Sequence, residues 1–458
     1  MKGEAKWDTL HLPHLHWEKV MYHSSGYEAI VELGDSRLST ASPGGVDNID
    51  LYLYLGQLLL QNGASTQRVM DSIKVLHASL GGGEIQVVVD LDALIITSVD
   101  ACGGCTRVAR TKAPMKVDSV VLTEISRLLH RLPEEKLSPE QVRERLGKIA
   151  DRVPLYSTWI CAVMVSIAMA AFGLLNRGDL ASAVIVFPAT LAAFFLRHLL
   201  VRKSFNPYVV VLATAALGGL VVCLVARVEA TITPDIALAA AVIFLIPGVQ
   251  LINGGMEVLR NHVQVGMARL TSVIVTLAVI AFGLGVALAL LPLPNSSASF
   301  DWPGWPANIL WDALLGAVAA AGFAVLFNTS FHPLVACALC GAMGRGARVV
   351  LLNYGVEIAL ATLVSTVAIT LIAIYFARRW VLPEIAISVT AALTMIPGYF
   401  AIKFMNGLFS IASHGADISR EAFLFTAQAG LNGVLISAAL VAGIIFPIMI
   451  LMRDKPRY

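Results

Sequence analysis

The chain has 458 residues, 57% hydrophobic and only 14% charged, and its mean hydropathy of +0.75 is too high for a soluble protein of that length. A formal net charge of +2 offers no broad basic surface for nucleic acid, and six cysteines do not make a secreted disulfide framework. Charge is crowded at one end: residues 1–154 hold 20 acidic and 17 basic side chains, whereas residues 155–452 hold only 10 and 13. A soluble region is thus joined to a membrane region near Val153 and Pro154.

Residues 1–46 read as a disordered tail ending in a Ser/Pro/Gly-rich stretch. The tail holds His11, His14, His16 and His23, a tract that could bind metal, but a loose tail is the simpler reading and no metal or other cofactor is expected. From residue 47 the pattern becomes ordered. Asp50 can cap a helix over 51–60, Gly63 breaks it, and Ser65 or Thr66 opens a second amphipathic helix that Gly81, Gly82 and Gly83 stop. Strands are predicted over 85–90, 93–99 and 106–112, then helices over 117–131 and 139–151, which makes 47–153 a small α/β domain. No apolar run in the first 150 residues suits a signal sequence, so this domain is expected in the cytoplasm.

A span needs about 20 apolar residues. Five such segments fall over 156–175, 180–200, 207–226, 235–257 and 267–291. An extracytoplasmic linker, 292–306, leads to five more over 308–327, 333–343, 354–376, 383–406 and 423–452. The seventh is short and the tenth is long enough to tilt. With the N-terminal domain inside, Arg197, Arg202, Lys203, Arg260, Arg269, Arg378 and Arg379 fall to inner loops, as do the basic residues of the C-terminal tail. Arg177, Arg227, Arg345, Arg348 and Arg420 fall outside, a bias in the direction of the positive-inside rule.

The sharpest feature is an internal repeat. Ile246-Pro247-Gly248 recurs as Ile396-Pro397-Gly398, Leu212-Ala213-Thr214 as Leu360-Ala361-Thr362, and Arg197 and Asn206 as Arg345 and Asn353; Arg269 and Arg420 follow their Pro-Gly pairs at matching distances. Each half holds five spans, an odd number, so the second half enters the membrane from the opposite face. The fold expected is a polytopic α-helical membrane protein of about ten transmembrane helices in two inverted five-helix repeats, 154–291 and 307–458.

Proline removes a backbone donor and glycine loosens the helix, so each pair should break its span. Within a bilayer such a break survives only where protein or water satisfies the freed groups. A matched pair of breaks reads as a substrate site, the alternative for either alone being a packing kink. Pro247, Gly248, Gln250 and Asn253 would line it from the first half, and Pro397, Gly398, Tyr399, Lys403 and Asn406 from the second. Ionisable groups within spans are costly and usually functional, which singles out Glu357 and Glu257 for proton coupling. Glu357 is favoured because Glu257 has Arg260 three positions on as a simple partner. Arg68, Arg197, Arg269, Arg345 and Arg420 are expected to be structural or gating groups.

The Gly63-Ala64-Ser65-Thr66-Gln67-Arg68-Val69 start of the second soluble helix resembles the N-terminal signature of the threonine/serine exporter family. There a glycine, an acidic or polar residue, a threonine and an arginine open the same helix. The run Ile246-Pro247-Gly248, Asn253-Gly254, Gly266 and Arg269 is similar to the family's fourth-span signature. The second half looks like its partner module, which some members encode as a separate protein. The resemblance covers residues 47–452 and implies proton-driven export of threonine and serine across the bacterial plasma membrane. Related split systems are associated with dicarboxylate (succinate) export, so the resemblance leaves that substrate open, and a homo-oligomer with it. Ser65 stands where the family usually has an acid, so no role of that acid carries over.

Cys102-Gly103-Gly104-Cys105 has metal or redox spacing without a second pair nearby, and Cys337 and Cys340 share a helix face suited to a core. No Gly-x-Ser-x-Gly elbow and no phosphate-binding loop with lysine occurs, which disfavours a hydrolase or an ATP-driven pump; a channel stays open beside a carrier.

Overall fold

The computed structural model describes residues 48–451 except 82–83, 91–92, 101–102, 111–115, 229–230, 294–306, 381–383 and 416–417. The histidine-bearing tail, Cys102 and most of the 292–306 linker lie outside the described residues.

Helix α1 (Asn48–Gln61) is apolar on nearly every side and buries Leu51, Leu55, Leu58 and Leu59. Gly63, at φ +88°, reverses the chain into α2 (Thr66–Ser79), a conformation that costs glycine little. Three antiparallel strands follow in the order β1 (Glu84–Val89), β2 (Ala93–Asp100), β3 (Gly103–Arg110). Leu94 and Ile96, two residues apart, are both fully buried, so one face of the sheet packs on α1 and α2. Helices α3 (Ser119–Glu135) and α4 (Pro139–Ala150) complete this core, α4 opened by a capping box between Ser138 and Gln141.

The remainder is helical and polytopic. Helices α5 (Thr158–Leu175), α6 (Leu180–Arg202) and α7 (Pro207–Val225) precede a broken pair, α8 (Pro234–Ala240) and α9 (Gly248–Leu259), and the long α10 (Val263–Leu290). The same order returns as α11 (Ala307–Leu326), α12 (Phe331–Asn353), α13 (Ile358–Trp380), the broken pair α14 (Glu384–Ala392) and α15 (Gly398–His414), and the long α16 (Arg420–Leu451). Among the described residues eight helices are long and apolar enough to cross a membrane, and the count reaches ten if each bent pair is one span. The pairs bend by 66° and 51°. Proline disfavours helical backbone at the residue before it, and Ile246 (ψ 124°) and Ile396 (ψ 135°) are accordingly extended.

Three expectations are corrected. The seventh span is not short: α12 has 23 residues and carries Arg345 and Arg348 inside it, both buried, rather than in an outer loop. The apolar run stops at Met343 because these arginines interrupt it, yet the helix continues because Asp312 of α11 lies 3.3 Å from Arg345. Arg269 likewise is no loop residue but a buried part of α10. Glu357 does not lie within its span; it precedes α13, is exposed, and its Oε2 accepts from the Ala359 and Leu360 N–H groups at 2.8 and 3.2 Å. The sequence could not separate a buried carboxylate from a helix cap directly before the apolar run.

The N-terminal elements are clamped to the helical bundle at the α11–α12 turn. One oxygen of Asp118 caps α3 through the Val120 and Val121 N–H groups, and the other accepts from Asn328 Nδ2 at 2.8 Å. Asn328 Oδ1 in turn accepts from the Leu155 N–H at 2.8 Å, and the Ser119 N–H donates to the Phe327 carbonyl at 2.8 Å. Asp118→Ala removes a cap and this bridge together. It is expected to cost about 1–2 kcal/mol in denaturant unfolding and to raise protease cleavage between α2 and α4.

Candidate functional site

The two breaks meet in the core. A Cβ on Gly248 would collide with Ile396 and Leu393, and one on Gly398 would come within 3.1 Å of Ile246 and 3.3 Å of Ile243. Four aliphatic side chains therefore seal the crossing point. The Gly248 N–H donates to the Ile246 carbonyl at 2.8 Å, so in this conformation it is engaged within its own break.

On the side of the N-terminal elements, α9 and α10 approach closely. A Cβ on Gly266 would sit 2.7 Å from the Gly254 carbonyl oxygen, so only glycine allows the contact. That approach sets Glu257 of α9 3.1 Å from Arg269 Nε, with both side chains inaccessible. The Glu257 carboxylate also reaches into the N-terminal part: its Oε1 accepts from the Thr66 N–H at 3.1 Å and the Thr66 hydroxyl at 2.8 Å. Glu257 thus caps α2 from a different part of the chain, and the favourable charge sits at the positive end of that helix. One turn earlier Asn253 Nδ2 donates to the Gly63 carbonyl at 3.2 Å, and His262 Nε2 lies 3.3 Å from Gln67 Oε1. The expected pairing of Glu257 with Arg260 is replaced by Arg269, because the Gly254–Gly266 contact brings α10, not the next turn, against it.

A cavity of about 40 Å³ lies beside this contact. Gly63, Ala64, Ser65 and Arg68 wall it on one side, Val249 and Asn253 of α9 on a second, and Ile385, Ala386, Val389 and Thr390 of α14 on a third. Arg68 is also a tie between helices, its Nη2 donating to the Leu122 carbonyl at 2.8 Å and Ser126 Oγ at 2.7 Å.

Beyond the breaks, Tyr399 Oη donates to Asp235 Oδ2 of α8 at 3.4 Å, and Lys403 Nζ lies 4.5 Å from the Tyr399 ring centre, a cation–π arrangement. The residues expected to form one site are therefore divided. Asn253 and Glu257 face the N-terminal elements, Tyr399 meets Asp235 of α8 with Lys403 over its ring, and Gln250 and Asn406 are half-buried on α9 and α15. Arg197 lies in the last two turns of α6 and Arg420 is exposed at the start of α16, neither in the group around Glu257. Thr66, Asp118, Asp235 and Asp312 become site or anchoring residues through partners that sequence spacing does not reveal: Thr66 and Glu257 are 191 positions apart.

Two family models match the chain in succession: "Putative threonine/serine exporter" over residues 50–291 and "Threonine/Serine exporter, ThrE" over 312–450. The chain belongs to the threonine/serine exporter family. It is also 30% identical over 242 residues to a protein of Escherichia coli (strain K12) named "Probable succinate transporter subunit YjjP", covering 92% of that protein and 52% of this chain. The protein of that name from Klebsiella aerogenes is 30% identical over 234 residues, 88% of its length and 51% of this chain. An uncharacterized Haemophilus influenzae protein is 32% identical over 149 residues, 50% of its length and 32% of this chain. No solved structure matches the chain. Within this exporter the helix start at Thr66 and the run from Ile246 to Arg269, which the sequence keeps far apart, touch at Glu257.

Removing one partner of a buried ion pair leaves the other uncompensated and typically costs about 3–5 kcal/mol, whereas replacing both is far milder. Arg269→Leu is therefore expected to lower the melting temperature and yield of the purified protein sharply. The double variant Glu257→Gln with Arg269→Leu should recover most of that loss, as thermal unfolding in detergent would show.

Proposed function

We propose that this exporter is a secondary active antiporter that moves threonine and serine out of a bacterial cell in exchange for protons. The N-terminal elements are then cytoplasmic, 292–306 is extracytoplasmic, and 154–291 and 307–458 are inverted five-span repeats that rock about the crossing of their breaks. The observation that carries this reading is the crossing itself. Two Pro-Gly breaks, one from each half, pack against each other in the core with polar groups on both sides and an aliphatic seal between. Backbone freed at two such breaks is what a membrane protein tolerates beside a solute path.

Proton coupling falls to Glu257 rather than Glu357. Glu357 is a solvent-exposed cap, while Glu257 is a buried carboxylate joining α9, α10 and α2. Protonation removes the charge that holds Arg269 and weakens the acceptor that holds Thr66. A proton arriving at Glu257 would therefore loosen the N-terminal elements from the broken span.

The curated relatives favour a second reading, a dicarboxylate as substrate, through the name they print. Proteoliposomes decide between the two. Threonine and serine are expected to drive counterflow of labelled threonine and succinate is not; the reverse result would establish the dicarboxylate reading. Glu257→Gln is expected to abolish export driven by a pH gradient, while Glu357→Gln retains it within about twofold. Intact gradient-driven export by Glu257→Gln would remove that residue from coupling.

A further inference from the structure

Two polar atoms of the cavity beside α9 have no hydrogen-bond partner although both are buried: Ser65 Oγ and Asn253 Oδ1. Their residues are 4% and 2% exposed. The orientation of the Asn253 amide is fixed, because its other end meets the Gly63 carbonyl, which can only accept. The amide must turn its nitrogen there and leave its oxygen over. Buried polar groups are rarely left unpaired, since each costs about 1–3 kcal/mol, so two beside one cavity mark a place built for a hydrogen-bonding ligand. The ligand's chemistry follows from the wall. Asn253 Oδ1 calls for a donor, Ser65 Oγ serves a donor or an acceptor, and Arg68 supplies the only cationic side chain among the lining residues. No aspartate or glutamate is among the lining residues, and apart from the hydroxyls of Ser119 and Thr390 the rest of the wall, Val249, Ile385, Ala386 and Val389 included, is apolar.

We propose that this cavity is the inward-side substrate site, shared between the 63–65 loop and the two broken spans, and that it takes a small zwitterion with one carboxylate and an ammonium or hydroxyl donor. The inference rests on the exporter reading and gives its substrate a place in the fold. The donor of the ligand meets Asn253 Oδ1 and its hydroxyl meets Ser65 Oγ, with the single carboxylate on the Arg68 side. A dicarboxylate would set its second carboxylate against the Asn253 oxygen and the aliphatic wall, acceptor against acceptor. At about 40 Å³ the cavity holds roughly three water-sized groups, so a whole hydroxy amino acid enters only as the 63–65 loop backs away. The loop is therefore a movable wall of the site, held by the Asn253–Gly63 and Glu257–Thr66 contacts.

The test uses the full chain in lipid nanodiscs, with L-threonine and succinate titrated by calorimetry. Threonine is expected to bind at least about tenfold more tightly than succinate. Ser65→Ala deletes a hydroxyl that bonds to nothing in the protein, so it should fold at least as well as the wild type. It should nevertheless weaken threonine binding by about three- to tenfold, the value of one ligand hydrogen bond. Ala386→Leu, which fills the cavity from the membrane side, should weaken it further. Unchanged threonine affinity in Ser65→Ala, succinate binding more tightly than threonine, or no threonine binding by the wild type would each overturn the proposal. Transport separates the two readings. Wild-type proteoliposomes that export threonine while Ser65→Ala shows an unchanged KM sink the cavity alone. Wild-type vesicles that move neither threonine, serine nor succinate sink the exporter reading, whatever the calorimetry shows.

Discussion

A buried carboxylate, Glu257, organises the contact between the N-terminal elements and the first half of the helical bundle. Taking an ionised group out of water is expensive unless each of its oxygens is occupied. Glu257 draws its partners from two distant places: Oε2 forms an ion pair with Arg269 on the neighbouring helix, and Oε1 accepts from the start of α2. Neither would suffice by itself. Arg269 alone would leave Oε1 without a hydrogen bond, and Thr66 alone would leave a buried carboxylate without a counter-charge. The Gly254–Gly266 approach supports this arrangement, since a Cβ on Gly266 would sit 2.7 Å from the Gly254 carbonyl oxygen and force α9 and α10 apart.

The breaks supply the second constraint. Each Pro-Gly pair forces an extended residue, Ile246 or Ile396, into the middle of a span, and that residue's side chain plugs the opposite break. The plug is reciprocal, so neither half can close its own break without the other. Aliphatic packing of this kind is non-directional and can part and reform without leaving a buried polar group behind. The polar contacts on either side are directional. A crossing sealed by aliphatic side chains and flanked by polar groups fits the alternating access proposed above.

Much of this architecture was legible in the sequence, and the parts that were not share a cause. The ten apolar segments and the two Pro-Gly breaks follow from local pattern, because span length and proline chemistry are properties of a few neighbouring residues. The 150-residue spacing of Pro247 and Pro397 announced that the breaks were a pair, and the structure shows them in contact. Local pattern failed wherever the deciding partner came from elsewhere. Arg345 ended the seventh apolar run on paper because nothing near it in sequence reveals Asp312, 33 positions away. Glu257 was matched to Arg260 because three positions is one helical turn, and the competing contact crosses between helices. Glu357 erred in the other direction: a carboxylate just before an apolar run looks intramembrane by hydropathy but is better placed to cap the helix.

The same contacts give the N-terminal elements a mechanical link to the broken spans. The bond between Asn253 and Gly63 ties the loop that opens α2 to the very half-helix that follows the first break. Any rotation of α9 about the Pro247 hinge must either drag that loop along or break its contacts with Asn253 and Glu257. The Asp118–Asn328 bridge, by contrast, fixes the other side of the N-terminal elements to the α11–α12 turn, which belongs to the second half of the chain. The N-terminal elements therefore span the two halves, with one grip on each. In the alternating motion proposed above, a relative shift of the halves would have to change at least one grip, which would link the N-terminal elements to the state of the broken spans.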